Sequence, residues 1–346
     1  MTKPRKQQIS IETTPYYHVY SRCVRKAFLC GDDPDTGRSY EHRRQQIQDD
    51  MLRLSSIFYI KIAAFAILHN HYHLVLYVDK EACMAAPAKD IAKLWHQLFS
   101  GKEATQKFID GAALEPYEVE QVDTYIDLWR SRLYNISWFM KVLNENTARR
   151  ANKEDDCTGH FWESRYKSQA LLDEQALLSC MSYCDLNPIR AGMAKTPEAS
   201  EHTSIQMRIE YWQRKSKAAD QPVLKKEDGY EEDNLQPVSL LPFVGNHRQP
   251  MPSGIAFNLI DYIELIDWTG RAVLNNKRGS ISTDAPAIIH RLNISPEHWL
   301  ELSTNFESRF RGLVGSAHSI RTLCNKFGLT RQTNRSNSEL LFGTST

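Results

Sequence analysis

The sequence predicts an α+β protein, because strand-like and helix-like segments succeed one another in its first half. Aromatic and β-branched runs indicate three strands, YYHVYSRCV at 16–24, IFYIKIAAFAIL at 57–68 and YHLVLYVD at 72–79. Between the first two, residues 40–55 have the pattern of an amphipathic helix. The chain therefore begins in the order strand, helix, strand, strand.

The segment after the third strand is predicted to be mostly helical. Residues 86–123 form an irregular or helical insertion. Residues 124–153 carry apolar side chains three or four positions apart, which is the spacing of one helix face. These side chains are Ile126, Trp129, Leu133, Ile136, Met140 and Leu143. The spacing predicts a single helix over 124–153.

A further strand and helix follow the insertion. Residues 159–171, GHFWESRYKSQAL, alternate in character and predict a strand. Residues 173–187 predict a helix that begins after Asp173, whose carboxylate can accept hydrogen bonds from the first free amides. Pro188 stands at the end of this helix, because the residue before a proline disfavours helical geometry.

The remaining chain predicts a second region. A charged, turn-rich stretch over 201–238 is predicted to be a linker. It separates a first domain over 1–200 from a mainly helical region over 239–346, in keeping with about two domains for this length.

One segment of the second region, SIRTLCNKFGLTRQTNR, has the outline of a helix-turn-helix. Gly328 would occupy the turn, and Arg331 and Gln332 would open the second helix. The region is therefore a candidate for DNA binding, with an ordinary helical hairpin as the alternative.

Composition narrows the class of protein. The net charge is +1, so a DNA-binding surface would be a local patch rather than a property of the whole chain. The seven cysteines are scattered without a CxxC pair, which is typical of free thiols in a reducing cytoplasm. The basic N-terminus lacks the apolar run of a signal peptide. No segment reaches the roughly 18 apolar residues of a membrane span.

Two histidines on the third strand form the first candidate site. His71 and His73 are two positions apart, so in a strand both side chains project from one face. Two parallel imidazoles can hold a divalent cation. His69 is a weaker candidate, since it lies in the preceding turn. The alternative is that these are core or surface histidines near a turn.

A tyrosine on the helix predicted over 173–187 forms the second candidate site. Tyr183 and Asn187 are four positions apart and would share one helix face, whereas Asp185 would point elsewhere. A tyrosine hydroxyl, with a pKa near 10, is a poor nucleophile at neutral pH. A nearby cation that polarises the phosphate would make a weaker nucleophile sufficient. Asn187 could add a carbonyl oxygen to the metal shell. The alternative is a core tyrosine followed by a helix stop at Pro188.

The ordered combination of these motifs resembles a known family. HNHYHLVLYV resembles the HUH motif of single-tyrosine transposases, and GHFWESRYKSQALLDEQALLSCMSYCDLNPIRAGMA resembles the tyrosine-helix block of the REP-associated tyrosine transposases. YYHVYSRCVRKAFL resembles their first strand, and RLYNISWFMKVLNENTARRANKEDDCTGHFWESR their longer proteobacterial members. The resemblance covers roughly residues 15–200, with residues of about 80–156 as an insertion.

The resemblance implies a ferredoxin-like core, an antiparallel sheet with helices on one side. It also implies that His71 and His73 bind Mg²⁺ or Mn²⁺ and that Tyr183 is the nucleophile. The tyrosine would release a 3′-hydroxyl and keep the DNA as a 5′-phosphotyrosine, so that rejoining needs no ATP. Related enzymes often carry glutamine at the position of Asn187, one methylene longer.

Other side chains near the motifs are candidates for DNA contacts. Cations there can bind phosphates or be solvated surface charges; they are Arg22, Arg25, Lys26, Arg165, Lys167 and Arg190. Tyr166 is the rival nucleophile, on the strand predicted over 159–171. Phe161 and Trp162 can stack on bases or pack in the core.

The sequence thus predicts an enzyme that cuts and rejoins single-stranded or hairpin DNA through Tyr183 and a divalent metal. The alternative is a non-catalytic DNA-binding regulator derived from a transposase. An RNA-binding module would need an RNP-type pattern of exposed aromatics, which the sequence lacks. The oligomeric state stays open, with a homodimer as one candidate.

Overall fold

The computed structural model describes residues 11–24, 29–33, 37–218, 236–245, 254–274, 286–328 and 334–342. Within these ranges a five-stranded sheet is surrounded by helices, which confirms the prediction of an α+β protein. The strands are β1 Tyr16–Arg22, β2 Ile60–Ile67, β3 His71–Val78, β4 Lys167–Leu171 and β5 Leu313–Val314.

The helices fall into three groups along the chain. The first is α1 Glu41–Ile57, α2 Lys80–Ala85, α3 Ala88–His96, α4 Glu103–Asp110, α5 Pro116–Leu133 and α6 Ile136–Glu154. The second is α7 Glu174–Asp185, α8 Asn187–Arg190 and α9 Ser204–Ala218. The third is α10 Leu259–Leu274, α11 Ala287–Arg291, α12 Pro296–Arg309, α13 Ala317–Lys326 and α14 Arg335–Leu341. Among the described residues, no helix has the length and apolar character that crossing a membrane requires.

The strand order across the sheet is β2-β3-β1-β4-β5. The first four strands are antiparallel to their neighbours, and β5 runs parallel to β4. In the centre of the sheet His18 on β1 lies opposite Val75 of β3 and Gln169 of β4, and Tyr20 lies opposite His73. Because residues directly opposite one another share a face, these side chains project from the same side of the sheet.

Helices cover both faces of the sheet, whereas the resemblance implies helices on one side. On one face Tyr17 and Val19 of β1 belong to a core shared with α1, α5 and α6. On the other face Val75 of β3 belongs to a core shared with α7, α10 and α12. The alternating strand residues on both faces are largely buried, so helices must pack against each face of the sheet.

The helix predicted over 124–153 is in fact two helices, α5 and α6. The chain turns at Asn135, whose side-chain oxygen accepts a hydrogen bond of 2.8 Å from the Ser137 amide and so caps α6. An asparagine at this position satisfies an otherwise free helix amide, and the apolar spacing continues across the break. The periodic pattern therefore conceals the turn.

The strand predicted over 159–171 is shorter, since β4 begins only at Lys167. Residues before it are irregular, with Gly159 at a φ of 114° that favours glycine. A single backbone bridge joins Trp162 to Cys23, and the Trp162 indole donates to the Asn144 carbonyl at 2.9 Å. Phe161 and Trp162 are half-buried and pack against the core on the α1 side.

The segment predicted as a linker over 201–238 begins with a structured helix, α9. Its fully buried Arg208 donates to the carbonyls of Ala63 and Leu241, each at 2.9 Å. Ala63 lies at a β-bulge in β2, where the strand pairing shifts and its carbonyl needs another donor. The charged composition of α9 conceals this packing; residues 219–235 lie outside the described ranges.

The C-terminal region packs against α7, and the buried apolar side chains of both form one hydrophobic core. The segment predicted as a helix-turn-helix begins within α13, and Gly328 follows α13 at a φ of 62°. Arg331 and Gln332 lie outside the described residues, and α14 begins at Arg335.

Asp173 joins the two halves of the chain, which leads to a prediction about stability. Its carboxylate accepts from the Ala176 amide at 3.0 Å, capping α7, and from the Ser316 amide at 2.7 Å. We expect Asp173→Ala to lower the free energy of unfolding by about 1–2 kcal/mol or more, since capping bonds typically contribute about 1 kcal/mol. Chemical denaturation measures the loss.

The matched control is Asp79→Ala. Asp79 caps the short helix α2 through the Ala82 amide at 3.0 Å. Its loss should be the smaller of the two, because Asp79 does not tie a second segment to its helix. Equal losses would mean that the bond to Ser316 contributes nothing to stability.

Candidate active site

His71 and His73 lie at the start of β3, on the face of the sheet that α7 covers. His73 is fully buried and His71 is half-buried, and their ring centroids are 4.9 Å apart with the planes at 80°. The spacing along β3 therefore places both imidazoles on one side of the sheet.

His18, which the sequence analysis did not single out, connects to His73 in a buried hydrogen-bonded chain. The Gln169 side-chain amide donates to the Phe310 carbonyl at 2.6 Å, which leaves its oxygen 2.6 Å from Nδ1 of His18. Nε2 of His18 lies 2.9 Å from Nδ1 of His73. When His18 is neutral, its proton is on Nδ1 and its Nε2 is an acceptor. The period of β1 places His18 on this face, but only strand pairing brings it to His73.

Both histidines of β3 disfavour protonation. Burial lowers the pKa of His71 to about 4, and the charges of Arg22 and Arg190 act in the same direction. Burial also holds the pKa of His73 well below its usual range, assisted by His18 and His71. Neutral imidazoles are the form that binds a metal. Nε2 of His73 is buried without a hydrogen-bond partner among the described residues.

Tyr183 on α7 faces the same imidazoles. Its ring centroid lies 5.5 Å from that of His73, with the planes nearly perpendicular. The hydroxyl donates to a carboxylate oxygen of Glu307 at 3.4 Å, and 8% of the residue is exposed. Burial raises the pKa of Tyr183 above its ordinary value, and Glu307 raises it further.

Helix α12, from the C-terminal region, completes this site, although no motif in its sequence indicates such a role. Glu307 comes from α12, and Phe306 packs on Tyr183 at a centroid distance of 6.0 Å. The Ser303 carbonyl accepts from Arg190 at 2.8 Å. Residues that lie more than a hundred positions apart therefore meet here, which no local pattern could predict.

Asn187 does not continue the helix that carries Tyr183. α7 ends at Asp185, and Asn187 begins the short helix α8. The Asn187 side chain is buried, and its amide nitrogen lacks a partner among the described residues. Asp185 points away and accepts hydrogen bonds from Ser204 and Tyr262 at 2.5 and 2.7 Å.

The predicted cations differ in their freedom to contact DNA. Arg22, Arg165 and Lys167 are exposed, and Arg22 lies opposite His71 at the end of β1. Arg190 instead serves the fold: its guanidinium lies 4.1 Å from the centroid of the Tyr183 ring and donates to the Tyr183 carbonyl at 2.8 Å. Arg25 and Lys26 lie outside the described residues.

Tyr166, the rival nucleophile, lies on the other side of the sheet. It is buried in the core that contains Tyr17 and Tyr72, and its hydroxyl is 2.8 Å from the Ser137 hydroxyl. The structure therefore brings Tyr183, and not Tyr166, to the histidines.

A buried thiol adjoins the histidines as well. One ligand atom each of His18, His73 and Cys184 lies within 4.8 Å of the other two. Burial opposes ionisation of Cys184, but hydrogen bonds from Cys180 and His18 outweigh it and lower the thiol pKa to about 6. Among the described residues this is a group of three side chains able to share a metal ion.

Comparison with known proteins adds little to this geometry. No protein-family model matches the chain, and no curated protein matches it. A search of solved structures finds a chain described as a REP-associated tyrosine transposase bound to a REP hairpin, at 10% identity and a TM-score of 0.32. The match covers 61% of this chain and 86% of that one. Likeness at this level does not bear on the function of the chain.

The depressed pKa of His71 predicts a pH dependence of stability. A histidine with a pKa of about 4 when folded and 6.5 when unfolded stabilises the folded state above pH 6.5. That contribution, at most about 3 kcal/mol, is lost as the pH falls from about 6.5 towards 4. Denaturation at a series of pH values should show a smaller acid loss for His71→Gln than for the wild type.

The control for this prediction is His160→Gln, which changes an exposed histidine. This variant should retain the pH dependence of the wild type. If His71→Gln also retains it, the imidazole of His71 is not held neutral by its surroundings.

Proposed function

We propose that the chain is a metal-dependent endonuclease and strand transferase for single-stranded DNA, with Tyr183 as its nucleophile. The observation that carries the proposal is the position of the Tyr183 ring, 5.5 Å from the ring of His73, whose outward nitrogen is buried without a partner. The ordered motifs around both residues support the same reading. The strand order β4-β1-β3-β2 supports the ferredoxin-like core that the resemblance implies, although helices cover both faces.

The chemistry requires that the Tyr183 oxygen forms a bond to a DNA phosphorus while the bond from that phosphorus to the 3′ oxygen breaks. The 3′ oxygen leaves as a hydroxyl by taking up a proton, and the DNA remains as a 5′-phosphotyrosine. Attack by a 3′-hydroxyl reverses the step, so rejoining needs no ATP. Glu307 is placed to accept the tyrosine proton, since the hydroxyl already donates to its carboxylate at 3.4 Å.

The residues that would hold the metal implied by the resemblance, Mg²⁺ or Mn²⁺, are His71, His73 and Asn187. His71 and His73 disfavour protonation, so each offers an unprotonated nitrogen. The Asn187 amide is buried with its nitrogen unpartnered, and because amide oxygen and nitrogen are interchangeable by rotation, its oxygen can face a cation instead. A bound cation would supply positive charge to the phosphate under attack.

The exposure of Tyr183 favours a flexible substrate. Only 8% of the residue is exposed, because α12 covers one side of its ring. A flexible single strand can bring one phosphate to the exposed part of Tyr183, whereas a stiff paired duplex cannot bend to do so. Arg22, Arg165 and Lys167 are the exposed cations that can hold the flanking phosphates. A DNA hairpin beside the cleavage position would be the feature by which the protein recognises its target.

The second candidate is a non-catalytic DNA-binding regulator. The same burial favours it, because Arg190 and Phe306 pack on Tyr183 and the pKa of the hydroxyl is raised. A residue held in this way can be a core tyrosine. The two candidates differ in whether a covalent bond to DNA forms.

The first functional prediction concerns that bond. Wild-type protein incubated with labelled single-stranded DNA from the flanks of its gene and with Mn²⁺ should form an adduct that resists heat and detergent. Tyr183→Phe removes only the oxygen, so it should bind DNA and form no adduct. Denaturing gels followed by mass spectrometry identify the bonded residue.

Tyr166→Phe is the matched control, since it also removes one buried hydroxyl, and it should form the adduct as the wild type does. An adduct on Tyr166, or one that persists in Tyr183→Phe, would refute the assignment of the nucleophile. If no adduct forms with any flanking DNA or metal, the regulator becomes the better conclusion.

The second functional prediction concerns the metal. His71→Ala and His73→Ala should each abolish cleavage while DNA affinity is largely retained, because a lost ligand removes charge from the reacting phosphate. Asn187→Ala should reduce cleavage less, since water can replace a neutral oxygen ligand. Cleavage rates across a Mn²⁺ titration measure the effects. Full activity of both histidine variants in EDTA would remove the metal from the mechanism.

A further inference from the structure

Three side chains that can bind a metal converge in the core beneath the proposed active site. His18 comes from β1, His73 from β3 and Cys184 from α7, and each is 0% exposed. One ligand atom of each lies within 4.8 Å of the other two. The group therefore joins the two central strands of the sheet to the helix that carries Tyr183.

The surroundings of His18 are those of a metal ligand held in place. Its Nδ1 lies 2.6 Å from the Gln169 oxygen, and the Gln169 nitrogen donates to the Phe310 carbonyl at 2.6 Å. Since a carbonyl only accepts, this chain determines the orientation of the amide and keeps a proton on Nδ1. Nε2 of His18 is then turned towards His73 and the thiol. Histidines that bind metals typically donate their other N–H to such an oxygen.

The chemistry of the donors selects a class of ion. A thiolate is costly in an apolar core unless a positive charge lies beside it, and a metal ion bound by all three side chains would supply that charge. Sulfur and imidazole ligands together are typical of Zn²⁺, whereas a thiolate is a poor ligand for Mg²⁺. The nearest carboxylate along α7, that of Asp185, is directed towards Ser204 and Tyr262 instead.

We infer that His18, His73 and Cys184 form a buried site for a thiophilic divalent cation such as Zn²⁺. The ion clamps α7 to β1 and β3. This site is distinct from the proposed Mg²⁺ or Mn²⁺ site, with which it shares only His73.

The test measures binding without DNA, so its outcome does not depend on the proposed function. Purified, metal-free full chain is titrated with Co²⁺, a coloured substitute for Zn²⁺. We expect one Co²⁺ per chain, with the absorption bands of a tetrahedral ion and of sulfur-to-cobalt charge transfer, and displacement of both by Zn²⁺. Cys184→Ser should lose the charge-transfer band. Absence of a stoichiometric band in the wild type overturns the inference.

Two matched variants locate the site. Cys83→Ser changes a thiol that is equally buried but lies in the core on the other face, and it should keep the band. His71→Gln should keep it too, because His71 belongs only to the proposed hard-metal site. A band that persists in Cys184→Ser, or that disappears in Cys83→Ser, contradicts the ligand assignment.

A measurement on the wild type covers the case in which Cys184→Ser does not fold. Zn²⁺ should slow alkylation of Cys184 by many-fold and leave alkylation of Cys83 unchanged, as peptide mass spectrometry resolves. Equal rates at Cys184 with and without Zn²⁺ overturn the inference. Loss of DNA cleavage with Co²⁺ binding intact, by contrast, affects only the proposed function.

Discussion

The attachment of α7 to the centre of the sheet is the constraint on which the rest of the structure depends. Asp173 at its start bonds to the Ser316 amide, and Asp185 at its end accepts from Ser204 and Tyr262. Arg190, just beyond it, donates to the Ser303 carbonyl. Polar groups at or near both ends of one helix thus bond to four later residues of the chain. This is why the C-terminal region belongs to the same core as the sheet rather than forming a separate layer.

Burial of this helix places reactive groups where they are costly to ionise. His73, Cys184 and Tyr183 lie together on the covered face, and each responds to the others and to the low polarity around them. His71 and His73 are held neutral, Tyr183 is held protonated, and Cys184 is the group whose ionisation its neighbours favour. Clustering of shifted pKa values is typical of functional sites, because catalysis and metal binding need groups poised away from their ordinary state.

Local sequence patterns predicted the elements whose side-chain periods are complete within a short segment. β1, β2, β3 and α7 lie close to their predicted positions, and Asp173 caps α7 as its position before the helix indicates. The pattern failed where a periodic signal crosses a break, as at Asn135, or where tertiary contacts override composition, as in α9. There the buried Arg208 packs against β2 although its helix has the charged composition of a linker.

By itself, the sequence determined which strand face carries His71 and His73, and that Tyr183 lies on a helix capped by Asp173. These are consequences of a period of two in strands and of capping chemistry, both of which act over a few residues. Only the tertiary structure decided that His18 and Cys184 meet His73, and that Glu307 meets Tyr183. Those contacts depend on strand order and helix packing between distant segments, and side-chain spacing along the chain contains no information about them.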